Sequence, residues 1–541
     1  MNFNKVNNIT GWIVCIIACA VYILTAEAGG SLWDCGEFVS SCFKLQVPHP
    51  PGAPLFVVIG RIFIVLFGDN PLTAAKAVNI MSALASGFTI LFLFWTITHF
   101  TRKIYQKAHA ALSAEKVFTI MAAGVVGALA FTFSDSMWYS AVEGEVYAFS
   151  SFLTALVFWM MLKWEHNADE PGADRWIVLL FFVIGLSIGI HLLNLLTIPA
   201  IVMIYYFRRY KTTPWGIFWA FIVGCIITGF VQKFVIQYTI TGSGIFDRWF
   251  VNGLGLPFFS GFTAYFVLLG IVILIGIRKA DKLINNFTGF AVWLSVFIFL
   301  FSFPYITSFL SFLLFVAGTA IIVYAAYHSR LKILNFLKLG LWCFAFILIG
   351  YSTYLTTMIR SAANPSVDMY NVDNPMSLVG YVGREQYGDF PLIYGQTFAA
   401  DVKRNADGTP MVKEKGYRWQ KGDNKYINIG KNFEYEYEDE DMMFLPRIWD
   451  ASNDQGHANY YRSWLGLGKD EKPTYVDNIR WAVGYQIGWM YLRYFGWNFI
   501  GKQNDLQGTG NVRDGNTITG ISFIDNLFLG DQSKLPDSIK D

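Results

Sequence analysis

The chain has 541 residues, 54% of them hydrophobic and 18% aromatic, with only 15% charged and a formal net charge of +2. That balance is too apolar and too aromatic for an average soluble domain, and with no basic run it points away from nucleic acid. Six cysteines in a chain of this length make no disulfide framework.

Crossing a bilayer takes about 20 mostly apolar residues. In chain order the candidate spans are 11–28, 77–100, 117–133, 146–164, 176–190, 192–207, 215–236, 261–277, 289–303, 306–327 and 340–358, about eleven in all. Breaks at His191 and Pro304 are tight and read as short turns between spans. The first span has only Lys5 on its flank and no small-residue cleavage site, so it is not read as a cleavable signal. Residues 55–67 are apolar but too short to cross, and Arg61 interrupts them; they read as an interfacial helix. Cys15, Cys19, Cys225 and Cys343 lie in apolar segments, where Cys acts as a small hydrophobe.

With residues 55–67 kept out of the count, the loops alternate in charge. One set holds Arg102, Lys103, Lys107 and Lys116, then Lys163 and Arg175, then Arg208, Arg209 and Lys211, then Arg278, Lys279 and Lys282, then Arg330, Lys332 and Lys338. The other holds Asp34 and Glu37, then Asp135, Glu143 and Glu145, then Asp247 with Arg248. The positive-inside rule puts the first set in the cytoplasm and the acidic set outside. From about residue 360 the chain turns polar and turn-rich, as in "EYEYEDEDMM". The sequence therefore predicts an all-α polytopic membrane protein with a multi-span domain at 1–358, an interfacial helix in its first outside loop, and an extracytoplasmic region at 359–541.

Five stretches carry polar chemistry where it is costly. "SLWDCGEF" places Asp34 and Glu37 where the first span leaves the bilayer. Carboxylates there can simply sit in water at headgroup level. They can also keep a raised pKa and act as general bases toward a hydroxyl. Cys35 and Cys42 flank this motif; they could pair in an oxidising compartment, but two free thiols is the preferred reading. "VPHPPGAP" follows, and its prolines around His49, with Pro50, Pro51 and Gly52, fix a rigid elbow. His49 could in addition donate to a phosphate or sugar. In "AVEGEVYAF", Glu143 and Glu145 reach the same side as Asp34; Glu145 opens a span and equally suits a helix cap. In "GIHLLNLL", His191 and Asn194 sit in an apolar setting, as a site or as an interhelical hydrogen bond. "GREQYGDF" offers Arg384 as an anion ligand, or a plain surface turn. No P-loop, HExxH, GxSxG, CxxC or DxD occurs, and no metal cluster is apparent.

Together, "WDCGEF…HPPGAPLF", "AVEGEVYAF" and "GIHLLNLL" resemble the membrane O-mannosyltransferase family with bacterial and animal members, whose animal member mannosylates plexin-type receptor domains. Residues 383–389 and 498–508 are similar to bacterial members. The resemblance implies a GT-C-like bundle with its active site in the first outside loop, in an inner membrane and facing the periplasm. It implies a polyprenyl-phosphate sugar as donor and co-substrate, with no further cofactor, and Ser or Thr of an exported protein as acceptor. Asp34 is then the general base, Glu37 orients the acceptor or holds a sugar hydroxyl, and His49, His191, Arg384 and Arg61 are candidates for the leaving phosphate. Bacterial members are usually longer, so the end at Asp541 is expected to be a truncation. The rival readings are a polytopic transporter, which would place charges at the midplane in repeated halves, and an envelope-assembly scaffold.

Overall fold

The computed structural model describes residues 2–106, 112–388, 390–452 and 456–534, with the side chains of 330–333 and 532 outside that description. Lys107 of the basic loops and Asp389 of the 383–389 segment, with the side chains of Arg330 and Lys332, thus fall outside it. Two compact units emerge: Met1–Phe133, Met137–Gln386 and Gln420–Ile427 form the first; Ser134–Ser136, Tyr387–Trp419 and Asn428–Asp541 form the second.

The first unit is helical. Its elements begin with α1 (Phe3–Thr25), α2 (Cys35–Lys44), α3 (Pro54–Leu66), α4 (Pro71–Tyr105), α5 (Ala114–Thr132), α6 (Asp135–Val142), α7 (Val146–Asn167), α8 (Arg175–Ile188) and α9 (Ile198–Arg209). Local sequence sets their limits. Asn2 accepts from the Lys5 amide, so α1 starts well before its apolar run. Pro54 and Pro71 open α3 and α4 at a first-turn position, where a missing amide costs nothing. A 3₁₀ turn (Leu192–Thr197) leads into α9.

α10 (Pro214–Phe230) runs on through a π-helical stretch, Val231–Tyr238, into α11 (Thr239–Leu254). The span read from apolarity stops at residue 236, but the helix does not, because helix propagation tolerates the polar residues that end the apolar run. Asp247, expected in an outside loop, is instead fully buried in α11, where it accepts from the amides of Phe259, Gly261 and Phe262 and from the Tyr426 hydroxyl. α12 (Ser260–Leu283), α13 (Phe287–Ser302), α14 (Phe309–His328), α15 (Arg330–Tyr351), α16 (Tyr354–Ser361) and α17 (Pro375–Gly383) complete the unit.

Ten helices among the described residues are long and apolar enough to cross a membrane, one fewer than the expected count of about eleven. The difference is α8, whose 14 residues rise only about 21 Å. Its two ends nevertheless meet the two ends of its neighbours. Asp174, just before it, accepts from the Trp164 indole near the C-terminus of α7, while Gly189, just after it, accepts from the Leu55 amide near the start of α3. Glycines let α8 lie directly on α15: a Cβ on Gly185 would stand 2.4 Å from the Ile347 carbonyl oxygen, and one on Gly350 2.6 Å from the Leu186 amide nitrogen. Small residues of this kind set close helix approach in membrane proteins.

The domain boundary also moves. It was expected after residue 358, but the helical unit extends to Gln386 and includes residues 420–427. The cause is backbone pairing. Val47 bridges Asp368, and Arg360 donates to the carbonyl of Leu45. The second unit holds a short antiparallel pair, β1 (Tyr394–Gln396) with β4 (Met442–Phe444), and a hairpin of β2 (Val412–Lys421) and β3 (Tyr426–Tyr435) whose tip belongs to the first unit. It continues through α18 (His457–Leu465), α19 (Tyr475–Arg480), α20 (Arg493–Phe499) and α21 (Ser522–Leu529) around an aromatic core of Phe398, Tyr461 and Trp481.

Candidate active site

The opening motif folds into a carboxylate and imidazole centre. Asp34 stands at the N-terminus of α2 and Glu37 in its first turn, so both face the loop that follows. That loop returns because Leu45 takes a left-handed backbone (φ 50°) that ends α2, and because Gly52 does the same (φ 66°) in the elbow. Gly52 is required there: a Cβ would lie 2.2 Å from the Tyr381 hydroxyl, and φ is positive. The elbow is clamped from outside itself. The amide of Val47 donates to Val367, that of Met369 to Val47, and the Tyr381 hydroxyl to the carbonyl of Pro48. Pro50 is buried and Pro51 half-buried in this turn.

The clamp delivers His49 onto Glu37. Its amide donates to Oε1 at 2.7 Å and its Nδ1 meets Oε2 at 2.7 Å. A carboxylate only accepts, so Nδ1 carries the proton and Nε2 faces the other way. Nε2 lies 3.9 Å from Oδ2 of Asp34, whose side chain is half exposed. The hydrogen bond to Glu37 raises the imidazole's pKa above its ordinary value, with burial opposing and the charges of Glu37, Asp34 and Glu145 adding. The same hydrogen bond lowers the Glu37 carboxyl.

Glu143 and Glu145 join this centre. Glu145 caps α7 by accepting from the Val146 amide, and it is buried. Burial raises its carboxyl to about 7, and Asp34 and Glu143 push the same way. Burial also raises Glu143, against hydrogen bonds to Ser31 and Cys35. Of the two readings the sequence offers for Glu145, the cap is present, and the same carboxylate lies within the electrostatic reach of Asp34. Cys35 and Cys42 are buried free thiols, and burial pushes Cys35 up to about 12.

His191 accepts the Leu193 amide at Nδ1 and packs its ring 5.2 Å from that of Tyr147, two residues beyond Glu145. Burial lowers its pKa, and the nearby Arg384 guanidinium lowers it further. Arg384 takes a left-handed backbone at the end of α17, the same helix that supplies Tyr381. Asn194 is fully buried, its Oδ1 accepting from Thr197. Arg61 stands apart from the imidazole: it binds both oxygens of Asp69, at 2.6 and 3.0 Å, and the carbonyl of Phe43.

Some contributors are not read from the sequence. Asn79 of α4 is fully buried and donates to the carbonyls of Glu27 and Gly29, shaping the backbone that leads to Asp34. A Cβ on Gly144 would stand 3.1 Å from its Oδ1, which puts Asn79 against the turn between Glu143 and Glu145. A polar side chain inside an apolar span is a signal that could have exposed it. Trp33 is 96% exposed and left-handed (φ 59°), an aromatic held out beside Asp34. Asp34, Glu37 and His49 each also offer one ligand atom within 4.8 Å of the others, a minimal donor set for a cation, although the hydrogen bond between Glu37 and His49 occupies two of the three.

A bundle of membrane-length helices with carboxylates and an imidazole gathered at one helix exit describes a polytopic membrane protein with a polar cluster beside that exit. Residues 34–214 match the model described as the N-terminal domain of protein O-mannosyl-transferase TMEM260. The matched stretch holds every site residue named above except those from the segment 360–384 and the approach to α2. Residues 388–483 match a family of unknown function, DUF8416. Among curated proteins, the chain is similar to protein O-mannosyl-transferase tmem260 of Dictyostelium discoideum, 26% identical over 29% of this chain and 17% of that protein. It is also similar to protein O-mannosyl-transferase TMEM260 of Mus musculus, 27% identical over 31% of this chain and 21% of that protein. The chain thus spans about a fifth of the length of the curated relatives it matches. No solved structure matches.

Proposed function

We propose that this protein is a membrane glycosyltransferase that moves a sugar, mannose in the first instance, from a polyprenyl phosphate to Ser or Thr of an exported protein. The observation that carries this reading is the Asp34, His49 and Glu37 array. A half-exposed carboxylate stands 3.9 Å from an imidazole that a second carboxylate holds in place. The acceptor hydroxyl oxygen attacks the anomeric carbon while its proton passes to Asp34. The bond from that carbon to the phosphate oxygen breaks, and the polyprenyl phosphate leaves with the electron pair. Attack opposite the leaving group inverts the anomeric centre.

Glu37 has a task beyond those first expected. Both its oxygens accept from His49, so in this reading it positions the imidazole, with a further lone pair on each oxygen left for the acceptor or a sugar hydroxyl. A protonated His49, with Arg384 and His191 as further candidates, stabilises charge on the departing phosphate. Arg61 is engaged by Asp69 and takes the lesser part. Trp33 offers an apolar face to the lipid or the sugar ring. The basic residues at the opposite helix ends support a reading with that end in the cytoplasm and the site on the outer side of an inner membrane. The test is transfer of labelled mannose from a polyprenyl phosphate to a Ser/Thr-containing peptide by the purified full chain. Labelled peptide is the expected product; with a range of sugars and acceptors all unreacted, the transferase reading falls.

A further inference from the structure

At the end of the first unit remote from Asp34, α1, α4 and α7 part to leave a cavity of about 460 Å³. α1 contributes Asn4, Asn7 and Asn8, spaced so that all three lie on one helix face. From Gly11 to Leu24 α1 is apolar, so the carboxamides cluster in its polar first turns, with Lys5 and Thr10. Two lining atoms stand out: Oδ1 of Asn7 and Nε1 of Trp95 are shielded from solvent without a hydrogen-bond partner. Both atoms belong to residues that line the cavity, and Trp95 Nε1 lies against α1, where a Cβ on Gly11 would stand 2.7 Å from it.

The walls add charge and aromatic faces. Trp159 packs 5.8 Å from Trp95, with the Lys163 ammonium 4.9 Å above it. Arg102 stacks on Phe3 at 4.6 Å and donates from Nε to Gln106. Among the described residues neither cation reaches a carboxylate. The nearby Glu165 is already engaged by His99 and Lys103. The cavity therefore has surplus positive charge, amide groups that can bind hydroxyls, and rings that can cover a C–H face.

We propose that this cavity binds a phosphate bearing a polyol, as the headgroup of an anionic phospholipid. A guanidinium and an ammonium suit the phosphate. The carboxamides of α1 suit the polyol. The helix ends here carry the basic residues that draw anionic lipids to a membrane surface. The site is independent of the transferase reading, since it shares no residue with the Asp34 centre.

The test is native mass spectrometry of the detergent-purified full chain with phosphatidylglycerol, phosphatidylcholine or glycerol 3-phosphate at equal concentration. Phosphatidylglycerol should be retained at least about tenfold more than phosphatidylcholine. The double substitution Arg102→Gln with Lys163→Gln should erase that preference, and Asn7→Ala should weaken retention several-fold. Lys103→Gln, which removes a neighbouring charge outside the cavity lining, should change it less than twofold. Equal retention of the two lipids would overturn the proposal, as would a Lys103→Gln loss as large as that of the double variant, because the effect would then be general surface charge. Glycerol 3-phosphate displacing the lipid at equal concentration would keep the phosphate chemistry and move its source to solution. Asn7→Ala keeps the proposal open to refutation should the double variant fail to accumulate.

Discussion

Among the described residues the first unit contains two histidine and glutamate pairs, and their surroundings differ. At the rim, His49 lies between Glu37 at 2.7 Å and Asp34 at 3.9 Å, with Glu145 adding negative charge. At the remote end, Glu165 lies between His99 at 2.9 Å and the Lys103 ammonium, and its backbone carbonyl accepts from Arg208. Carboxylates are in excess at the first pair and cations at the second. Asp34 stands half exposed at the first pair, and burial, with the charges of Asp34 and Glu143 adding, raises Glu145 to about 7, which suits proton transfer near neutrality. An excess of cations satisfies the single carboxylate and ties α4 to α7. The same residue types thus give a cluster rich in negative charge or a tie between helices according to which charge is left over.

The comparison can be broken most severely at the two glutamates. Glu37→Gln leaves His49 without its anionic partner and should lower turnover by about 10²-fold, with the pH optimum moved to lower pH because the imidazole pKa is no longer raised. Glu165→Gln should leave transfer within about twofold. Equal losses in the two variants would remove the distinction drawn between them. Next in size is the elbow. Gly52→Ala forces a Cβ against the Tyr381 hydroxyl at a left-handed position and should cost roughly 1–3 kcal/mol of stability and about tenfold in activity. Tyr381→Phe, which removes the bond to Pro48, should cost about 1 kcal/mol. Thermal melts and transfer rates of both variants check this.

Glu145 gives a pH test. Its carboxyl lies near 4.5 when exposed and about 7 in the fold, so the folded chain binds the proton more tightly. The stability this group contributes is full below pH 4.5 and is lost as pH rises through 7. A tenfold change in proton affinity is about 1.4 kcal/mol, so the loss is on the order of 3 kcal/mol. The melting temperature of the wild type should fall from pH 5 to pH 8, and Glu145→Gln should flatten that slope. The smallest effect belongs to the remote end: Lys103→Ala should cost under about 1 kcal/mol, since Lys103 is half exposed.

Much of this centre is legible in the sequence because its acidic residues, elbow and histidine are local. Asp34, Glu37 and His49 span 16 residues, and three prolines announce the turn. The apolar runs likewise mark ten of the crossings. What the sequence hides is contact across long separations and polar groups within helices. The clamp from Arg360, Val367 and Tyr381 comes from more than 300 residues downstream, in a stretch whose polar composition assigns it to a separate region. Asn79 lies within an apolar run that reads as an ordinary span. The continuation of α10 into α11 is missed because loss of apolarity marks where a chain leaves lipid, not where a helix ends. Arg61 looks available for phosphate until Asp69, eight residues on, is seen to bind it.

The central claim is that Asp34 takes the acceptor proton, and one pair of measurements on Asp34→Asn tests it. Asp34 makes no side-chain cap to α2 and is half exposed, so the substitution should leave membrane level and melting temperature unchanged. Transfer of labelled mannose to peptide should fall by at least about 10²-fold, while retention of the polyprenyl-phosphate donor, measured on the same preparation, stays within about twofold. Near-wild-type transfer by Asp34→Asn would contradict the account and shift the base to another carboxylate of the centre.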